Sequence, residues 1–352
     1  MNASINPQAK LLRYPDKLAA WRAGTPFAPI GVEIDLTNRC NLGCEFCHFG
    51  YTHSRGLLSK QQRAEFEQMG DEMSVMLAEP ILRALHENGV KSVTFSGGGE
   101  PTLHPHFREI VLRAAQLGFK LGLYTNGTRL DTELANFVKQ HFEWTVVSLD
   151  ADNAEDYQRM KKVDAFGKAC VGIRNLKEAV GNCKVGVSFL IDAENFQHTW
   201  RMIELNHKLG GDYAEFRPIV HFDLDAPDKA SEDTSWISFA LPHLKEIHQR
   251  KDVHVALDKF ERLFRWKRGY TTCHANLFTS VITPNGKMWT CVNRRGFPNS
   301  CIGDLTQESF ASIWKRQTAF TVDKQCRVLC RADALNITLN ELATPIAHEE
   351  FI

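Results

Sequence analysis

The 352-residue chain lacks net charge: 42 Lys and Arg stand against 42 Asp and Glu. That balance provides no global attraction for nucleic acid or for an anionic membrane surface. Long apolar runs are missing as well. No stretch approaches the roughly 20 residues that a membrane span requires. Residues 1–24 are polar and hold no apolar signal core. The expected location is therefore cytoplasmic, with no membrane partner. Cysteine, by contrast, is plentiful, with ten in the chain. At this length and without a secretory signal, these thiols read mainly as metal ligands rather than disulfides. The length suits one large domain with an appendage.

Three of the cysteines fall together in Cys40-Asn41-Leu42-Gly43-Cys44-Glu45-Phe46-Cys47, just after Val32-Glu33-Ile34-Asp35-Leu36, whose apolar/acidic alternation reads as a strand. Thiols at this spacing can wrap one face of a cubane [4Fe–4S] cluster and leave its fourth iron without a protein ligand. A structural cluster normally takes a fourth cysteine; an open iron suits a chemical cofactor. The alternative is zinc, with His48 completing a Cys3His set. Downstream, Ser92-Val93-Thr94-Phe95-Ser96-Gly97-Gly98-Gly99-Glu100-Pro101 weighs against zinc. It reads as a strand entering a glycine turn that ends in a carboxylate. Glycines let backbone approach a ligand, and a fixed glutamate accepts hydrogen bonds from an ammonium.

These two elements, in this order, resemble the radical S-adenosylmethionine (SAM) enzymes. The resemblance implies that Cys40, Cys44 and Cys47 hold the [4Fe–4S] cluster and that Phe46 packs near the adenine of SAM. It also implies that the turn Gly97, Gly98, Gly99 and Glu100 holds the methionine amine. Strand candidates at 32–37, 92–96, 120–125, 144–149, 184–190 and 213–217 alternate with helix candidates near 80–88, 104–117, 131–140, 166–180 and 196–208. This is an α/β pattern of parallel βαβ units, and its six strands fit the family's partial (β/α)6 TIM-like barrel.

Ligands bind at the carboxyl ends of such strands. Asn126, Ser148, Ser188 and Arg217 all fall there, and are candidate cofactor-binding residues. Ser148 and Asp150 resemble ribose-facing positions of the family, although a strand-end serine also serves as a turn or cap. Arg217 either reaches the SAM carboxylate or pairs with a barrel helix. Asn126-Gly127 is first of all a turn signal. His104 and His106, around Pro105, read as the lead into a helix rather than a metal pair. His48 and Tyr51 either line the substrate cavity or pack over it.

The expected organisation is a lead-in at 1–30 with a short helix from Pro15, the barrel at 31–220 and a connecting segment at 221–272. An auxiliary domain at 273–335 and a tail at 336–352 follow. The connecting segment opens with an acidic loop at 221–228, read as solvated, and continues into helices near 236–250 and 258–266. Two apolar runs flank Pro284-Asn285-Gly286, a hairpin signal that returns Cys291 toward Cys273. With Cys326 and Cys330 they fill four corners of a second cubane; zinc is the alternative. Cys-x12-Gly-x4-Cys (Cys273, Gly286, Cys291), Ile302-Gly303-Asp304-Leu305 and the late cysteine pair resemble the SPASM/Twitch extension of radical SAM enzymes. The cysteines are too few for two auxiliary clusters, so the single-cluster Twitch form fits better. Cys301 has three readings: ligand, hydrogen-atom donor as in radical epimerases, or buried packing. Cys170 and Cys183 read as core, and Arg294-Arg295 as an exposed pair rather than an anion site.

The resemblance implies one-electron cleavage of SAM to a 5′-deoxyadenosyl radical, which abstracts hydrogen from an unactivated carbon. A flavodoxin or ferredoxin is the expected electron donor. A second [4Fe–4S] cluster favours net oxidation. The short lead-in leaves no room for a peptide-binding winged helix, which points to a small molecule of sugar, aminocyclitol or nucleoside type. The alternatives are an epimerase using Cys301, a peptide-modifying enzyme, and a structural Fe–S or electron-transfer protein. The Gly98-Gly99-Glu100 turn argues against the last. Nothing in charge or motif supports an RNA substrate.

Overall fold

A computed structural model of the chain describes residues 7–44, 46–47, 69–219, 233–265, 268–297, 299–323, 326 and 329–345. His48, Tyr51 and the acidic loop 221–228 lie outside the described residues. All six expected strands form: β1 (Gly31–Asp35), β2 (Ser92–Ser96), β3 (Lys120–Thr125), β4 (Trp144–Ser148), β5 (Lys184–Ile191) and β6 (Tyr213–Pro218). Each lies parallel to the next in chain order. Side chains alternate across a strand, so Val32, Ile34 and Leu36 enter the main apolar core with Val93 and Phe95. The intervening helices supply the other half of that core. Two of them start at side-chain caps. Ser74 Oγ accepts the Leu77 N–H at 3.2 Å, and Asp131 Oδ1 accepts the Leu134 N–H at 2.8 Å.

Two elements go beyond the expected pattern. The helix Ala154–Lys161 starts at Asn153, whose Oδ1 accepts the Asp156 N–H at 2.9 Å. In the segment expected only to connect, β7 (Val253–Val255) pairs parallel with β6 between the helices Trp236–Ile247 and Leu257–Arg265. It makes a seventh strand–helix unit. A three-residue strand with His254 at its centre is too short for alternation to register.

The auxiliary region is continuous with the barrel. β8 (Thr272–Cys273) pairs with β12 (Phe320–Thr321), while β9 (Thr279–Ile282), β10 (Lys287–Trp289) and β11 (Cys301–Asp304) form an antiparallel set. β9 then pairs parallel with β1, Gly31 opposite Thr279. The result is one ten-stranded sheet in the order β11-β10-β9-β1-β2-β3-β4-β5-β6-β7. The hairpin covers the β1 edge that an open barrel would leave exposed.

The first and last described helices pack against residues 272–278, which lead into this hairpin. The expected tail is helical from Asp333 to Ala343. Asn336 Oδ1 accepts the N–H groups of His274 and Ala275 at 2.9 and 2.8 Å, and Asn340 Nδ2 donates to the Thr272 carbonyl at 2.8 Å. Leu11 of the lead-in packs with Phe278 and Leu339 in a small separate core. Among the described residues, no helix is long and apolar enough to cross a membrane.

Cys170 and Cys183 are buried in the barrel core, as expected. Burial pushes their thiols from 9.0 up to about 11 and about 12. A folded pKa raised above the unfolded one contributes stability that is complete below the unfolded value and lost as pH rises through the folded one. The melting temperature should therefore fall between pH 9 and about 11. A Cys170→Ala/Cys183→Ala variant should show a shallower fall over that window; equal slopes in thermal melts would contradict the assignment.

Candidate active site

A cavity of about 400 Å³ opens at the carboxyl ends of the barrel strands. Cys40, Cys44, Phe46 and Cys47 line it, with Gly97, Gly98, Gly99 and Glu100. Asn126, Ser148 and Arg217 line it too. Ser188 is buried behind the wall and accepts a hydrogen bond from Arg217 Nη2 at 2.8 Å. Its role in this geometry is to aim the guanidinium.

The glycine turn docks against the start of the cysteine loop. The Gly99 N–H donates to the Thr37 carbonyl at 3.0 Å and the Glu100 N–H to the Arg39 carbonyl at 2.8 Å. A Cβ on Gly99 would lie 2.0 Å from the Arg39 carbonyl oxygen, so only glycine permits this approach. Glu100, 3% exposed, then braces three loops at once. Its Oε1 accepts from the Thr102 N–H (3.2 Å), Thr102 Oγ1 (2.6 Å) and Thr125 Oγ1 (2.6 Å); Oε2 accepts from the Asn126 N–H at 2.6 Å. Burial pushes this carboxyl up from its ordinary range, and the four donors only partly pull it back. Asn126 ties onward to the cysteine loop, donating from Nδ2 to Asn41 Oδ1 at 2.8 Å. Most of the carboxylate expected to meet an ammonium is thus already engaged, and its Oε2 edge is the less occupied side.

Asp150, read as ribose-facing, lines the cavity but is similarly committed. It forms a buried ion pair with Lys161, and its Oδ1 accepts the Leu190 N–H at 3.0 Å. These contacts hold it at φ 64°, in the left-handed region. Lys161, which the sequence reading passed over, ends the unexpected helix. Its ammonium lies 5.1 Å from the Phe46 ring centroid and so helps to fix that ring. The Asn153 cap, eight residues before Lys161, was the available signal.

Burial pushes Cys40 up to about 12 and Cys44 up to about 11, the latter opposed by the Lys161 charge. A bound metal would displace the proton that burial otherwise keeps on each thiol. Tetrahedral zinc would draw its sulfurs to about 3.8 Å from one another. Among the described residues, only Asp152, Asp156 and His198 bring three ligand atoms within 4.8 Å of each other. That trio is already engaged by Arg201, 2.7 Å from Asp152. The wider-set cysteines fit the corners of a cubane better than a single ion.

The auxiliary cysteines converge in the same way. Cys291 is pushed up to about 12 by burial first, then by Cys273, with Cys326 also acting on it; Cys330 is raised by burial, with Cys291 and Cys273 among its neighbours. All four sulfurs receive N–H groups: Asn336 Nδ2 on Cys273 at 3.5 Å, Ala332 N on Cys330 at 3.3 Å, Arg294 Nη1 on Cys326 at 3.3 Å, and the backbone of Asn293 and Arg294 on Cys291. Such donors stabilise ligand sulfurs.

Two sequence readings need correction here. Arg294 and Arg295 are not surface residues, being 5% and 3% exposed. Arg294 forks onto Asp323 at 2.6 and 3.1 Å, and Arg295 pairs with buried Asp35 of β1. Nearby, Arg331 pairs with Glu33 of the same strand. Cys301 is exposed on β11, its Sγ 3.5 Å from the Gly303 carbonyl, and does not line the cavity. That placement supports none of its three readings. His104, in contrast, is structural as expected, its Nε2 2.8 Å from the Met73 carbonyl.

Comparison with known proteins agrees with this geometry. The radical SAM superfamily profile matches residues 34–205, and the SPASM iron–sulfur cluster-binding domain profile matches residues 273–332. The chain is a radical SAM enzyme with a C-terminal SPASM domain. Its cofactors are SAM, the [4Fe–4S] cluster of the radical SAM domain and auxiliary Fe–S at the SPASM domain. A probable GTP 3′,8-cyclase of Thermococcus kodakarensis is 24% identical over 317 residues, 84% of this chain and 95% of that protein. One from Saccharolobus solfataricus is 31% identical over 192 residues, which is 54% of this chain and 56% of the relative. The chain thus spans only about half the length of that second relative. Among solved structures, SAM-bound Streptococcus suis SuiB matches with a TM-score of 0.63 at 15% identity, over 88% of this chain and 71% of that one. AdoMet-bound anSMEcpe gives 0.58 at 16%, over 81% and 80%. These structural likenesses establish the shared fold.

Glu100→Gln tests the brace. An amide nitrogen would face one of four donors, and a buried unmatched donor costs about 1–3 kcal/mol. The variant should melt several degrees lower and bind SAM more weakly by titration calorimetry. Wild-type melting with unchanged SAM affinity would remove Glu100 from this role.

Proposed function

We propose that the protein is a radical SAM oxidoreductase. It removes a hydrogen atom from an unactivated carbon of a small molecule held between its two cysteine sites, with net oxidation assisted by a single auxiliary [4Fe–4S] cluster. One observation carries this reading. The cavity lined by Cys40, Cys44 and Cys47 is also lined by Val292, Asn293, Leu329 and Arg331, the immediate neighbours of Cys291 and Cys330. A substrate lodged there lies within reach of both sites. When bound, the reduced cluster and SAM supply one-electron cleavage of the sulfonium and a carbon radical that takes the hydrogen.

The chain's own residues bind and orient. Phe46, held by Lys161, offers a stacking face for adenine. Gly97, Gly98, Gly99 and the Oε2 edge of Glu100 receive the methionine amine. Asn126 and Ser148 present polar atoms to the ribose, and Ser188 aims Arg217 at a carboxylate. A volume of about 400 Å³ suits SAM with a compact partner. The substrate class is a sugar, aminocyclitol or nucleoside; the nucleotide named for the aligned relatives supports the nucleoside type. The epimerase reading loses its donor with Cys301 outside the cavity. A reduced flavodoxin or ferredoxin is the proposed electron source.

An anaerobic iron and sulfide count, with dithionite and SAM added and 5′-deoxyadenosine assayed, tests the proposal. Two cubanes require about eight irons per chain. A Cys273→Ala/Cys291→Ala variant should retain about four and still form 5′-deoxyadenosine. Zinc in place of iron, or no SAM cleavage after reconstitution, would overturn it.

A further inference from the structure

Ion pairs account for most of the charge around the cavity. Lys161 is matched by Asp150, Arg295 by Asp35 and Arg331 by Glu33. Two donor groups keep open hydrogen-bonding capacity. Lys259, on the helix Leu257–Arg265, lines the cavity, and its ammonium has no hydrogen-bond or ion-pair partner among the described residues. The buried Nε of Arg217 makes no hydrogen bond, the nearest carboxylate being Glu215 at 3.7 Å.

The two cations also disfavour each other. Lys259 is pulled below its ordinary range by burial first and by Arg217 second. Arg331, though paired with Glu33, adds to the same effect, while Asp258 and Glu215 oppose it. A lysine ammonium without a hydrogen-bond partner and a buried arginine Nε without one are costly unless an acceptor completes them. An oxyanion between Lys259 and Arg217 would satisfy both and screen their repulsion, with Arg's planar fork setting the direction and Lys adding a point charge.

We propose that Lys259 and Arg217 form a subsite for an oxyanion of the substrate, a phosphate or a carboxylate. The inference rests on the radical SAM reading of the cavity and narrows its substrate to an anionic small molecule. It separates two classes the sequence left together, since an aminocyclitol, whose amines are protonated at neutral pH, would be repelled by this subsite whereas a nucleotide or sugar phosphate would be held by it. Lys259 was not singled out in the sequence, because it lies in a segment read only as a connector.

The same chemistry has a second possible source, the carboxylate of SAM, so the test has separate arms. Iron-reconstituted full-length protein, as wild type, Lys259→Gln and Lys259→Arg, is titrated by calorimetry with SAM and with decarboxylated SAM. With SAM present, each is then titrated with pyrophosphate and with malonate. The expected result is that the wild type binds at least one of these two probes and that Lys259→Gln weakens it on the order of tenfold or more. Lys259→Arg should recover most of that loss, and SAM affinity should be alike in all three. If Lys259→Gln weakens SAM but not decarboxylated SAM, the anion is the cofactor's own and the proposal falls. It falls equally if neither probe binding depends on Lys259. Failure of the wild type to bind SAM would count against the radical SAM reading instead, and the probe comparison would then be read without SAM.

Discussion

Two carboxylates on the inner face of one strand tie the two cysteine sites together. β1 turns Val32, Ile34 and Leu36 into the apolar core and leaves Glu33 and Asp35 on the other face, both buried. A charge in that position is costly without a partner, and removing one member of such a pair costs about 3–5 kcal/mol. The partners come from the far end of the chain: Arg331 immediately follows Cys330, and Arg295 lies four residues beyond Cys291. Satisfying β1 therefore requires the auxiliary loops to close over the barrel. The requirement is electrostatic and geometric at once, since each arginine brings a cysteine with it.

The same logic recurs at smaller scale around the cavity. Glu100 holds the glycine turn to the β3 loop, Asn126 holds that loop to Asn41, and the Gly43 N–H donates to the Lys161 carbonyl at 2.9 Å. Lys161 in turn reaches Asp150 and the ring of Phe46. Loops are ordinarily the mobile part of an α/β barrel. Here the contacts that cross between them are mostly buried and charge-assisted, which holds the ligand-facing atoms in place before any ligand arrives.

This division explains what was legible in the sequence. The six main strands, the cysteine motif and the structural role of His104 all rest on residues near one another in the chain. Period and spacing suffice for such features. The pairs Arg295–Asp35 and Arg331–Glu33 join positions 260 and 298 residues apart, and no local pattern encodes a partner at that distance. The acidic alternation in β1 was visible, but read only as a strand signal. Arg294 and Arg295 looked like surface residues because two adjacent arginines usually are. β7 and the helix Asp333–Ala343 are fixed by what they pack against rather than by their own periodicity. Cys301 shows the converse error: a thiol near a cysteine-rich motif invites a chemical role that its exposed place on β11 does not support.

The continuity of the sheet adds a mechanical constraint. β1 pairs with β2, which leads into the glycine turn, on one side and with β9 of the auxiliary hairpin on the other. Hydrogen-bonded neighbours lie about 4.8 Å apart, so β2 and β9 are held at roughly 10 Å across β1. A hinge between the two regions would have to break both the parallel ladder and the two ion pairs on β1, of which Arg295–Asp35 is buried on both sides. The gap between the cysteine sites is therefore a property of the scaffold rather than of a closing motion. Selectivity for a substrate must then come from the shape and charge of a cavity of nearly fixed depth, and the proposed subsite at the Lys259 ammonium and the open Nε of Arg217 is where that charge would discriminate.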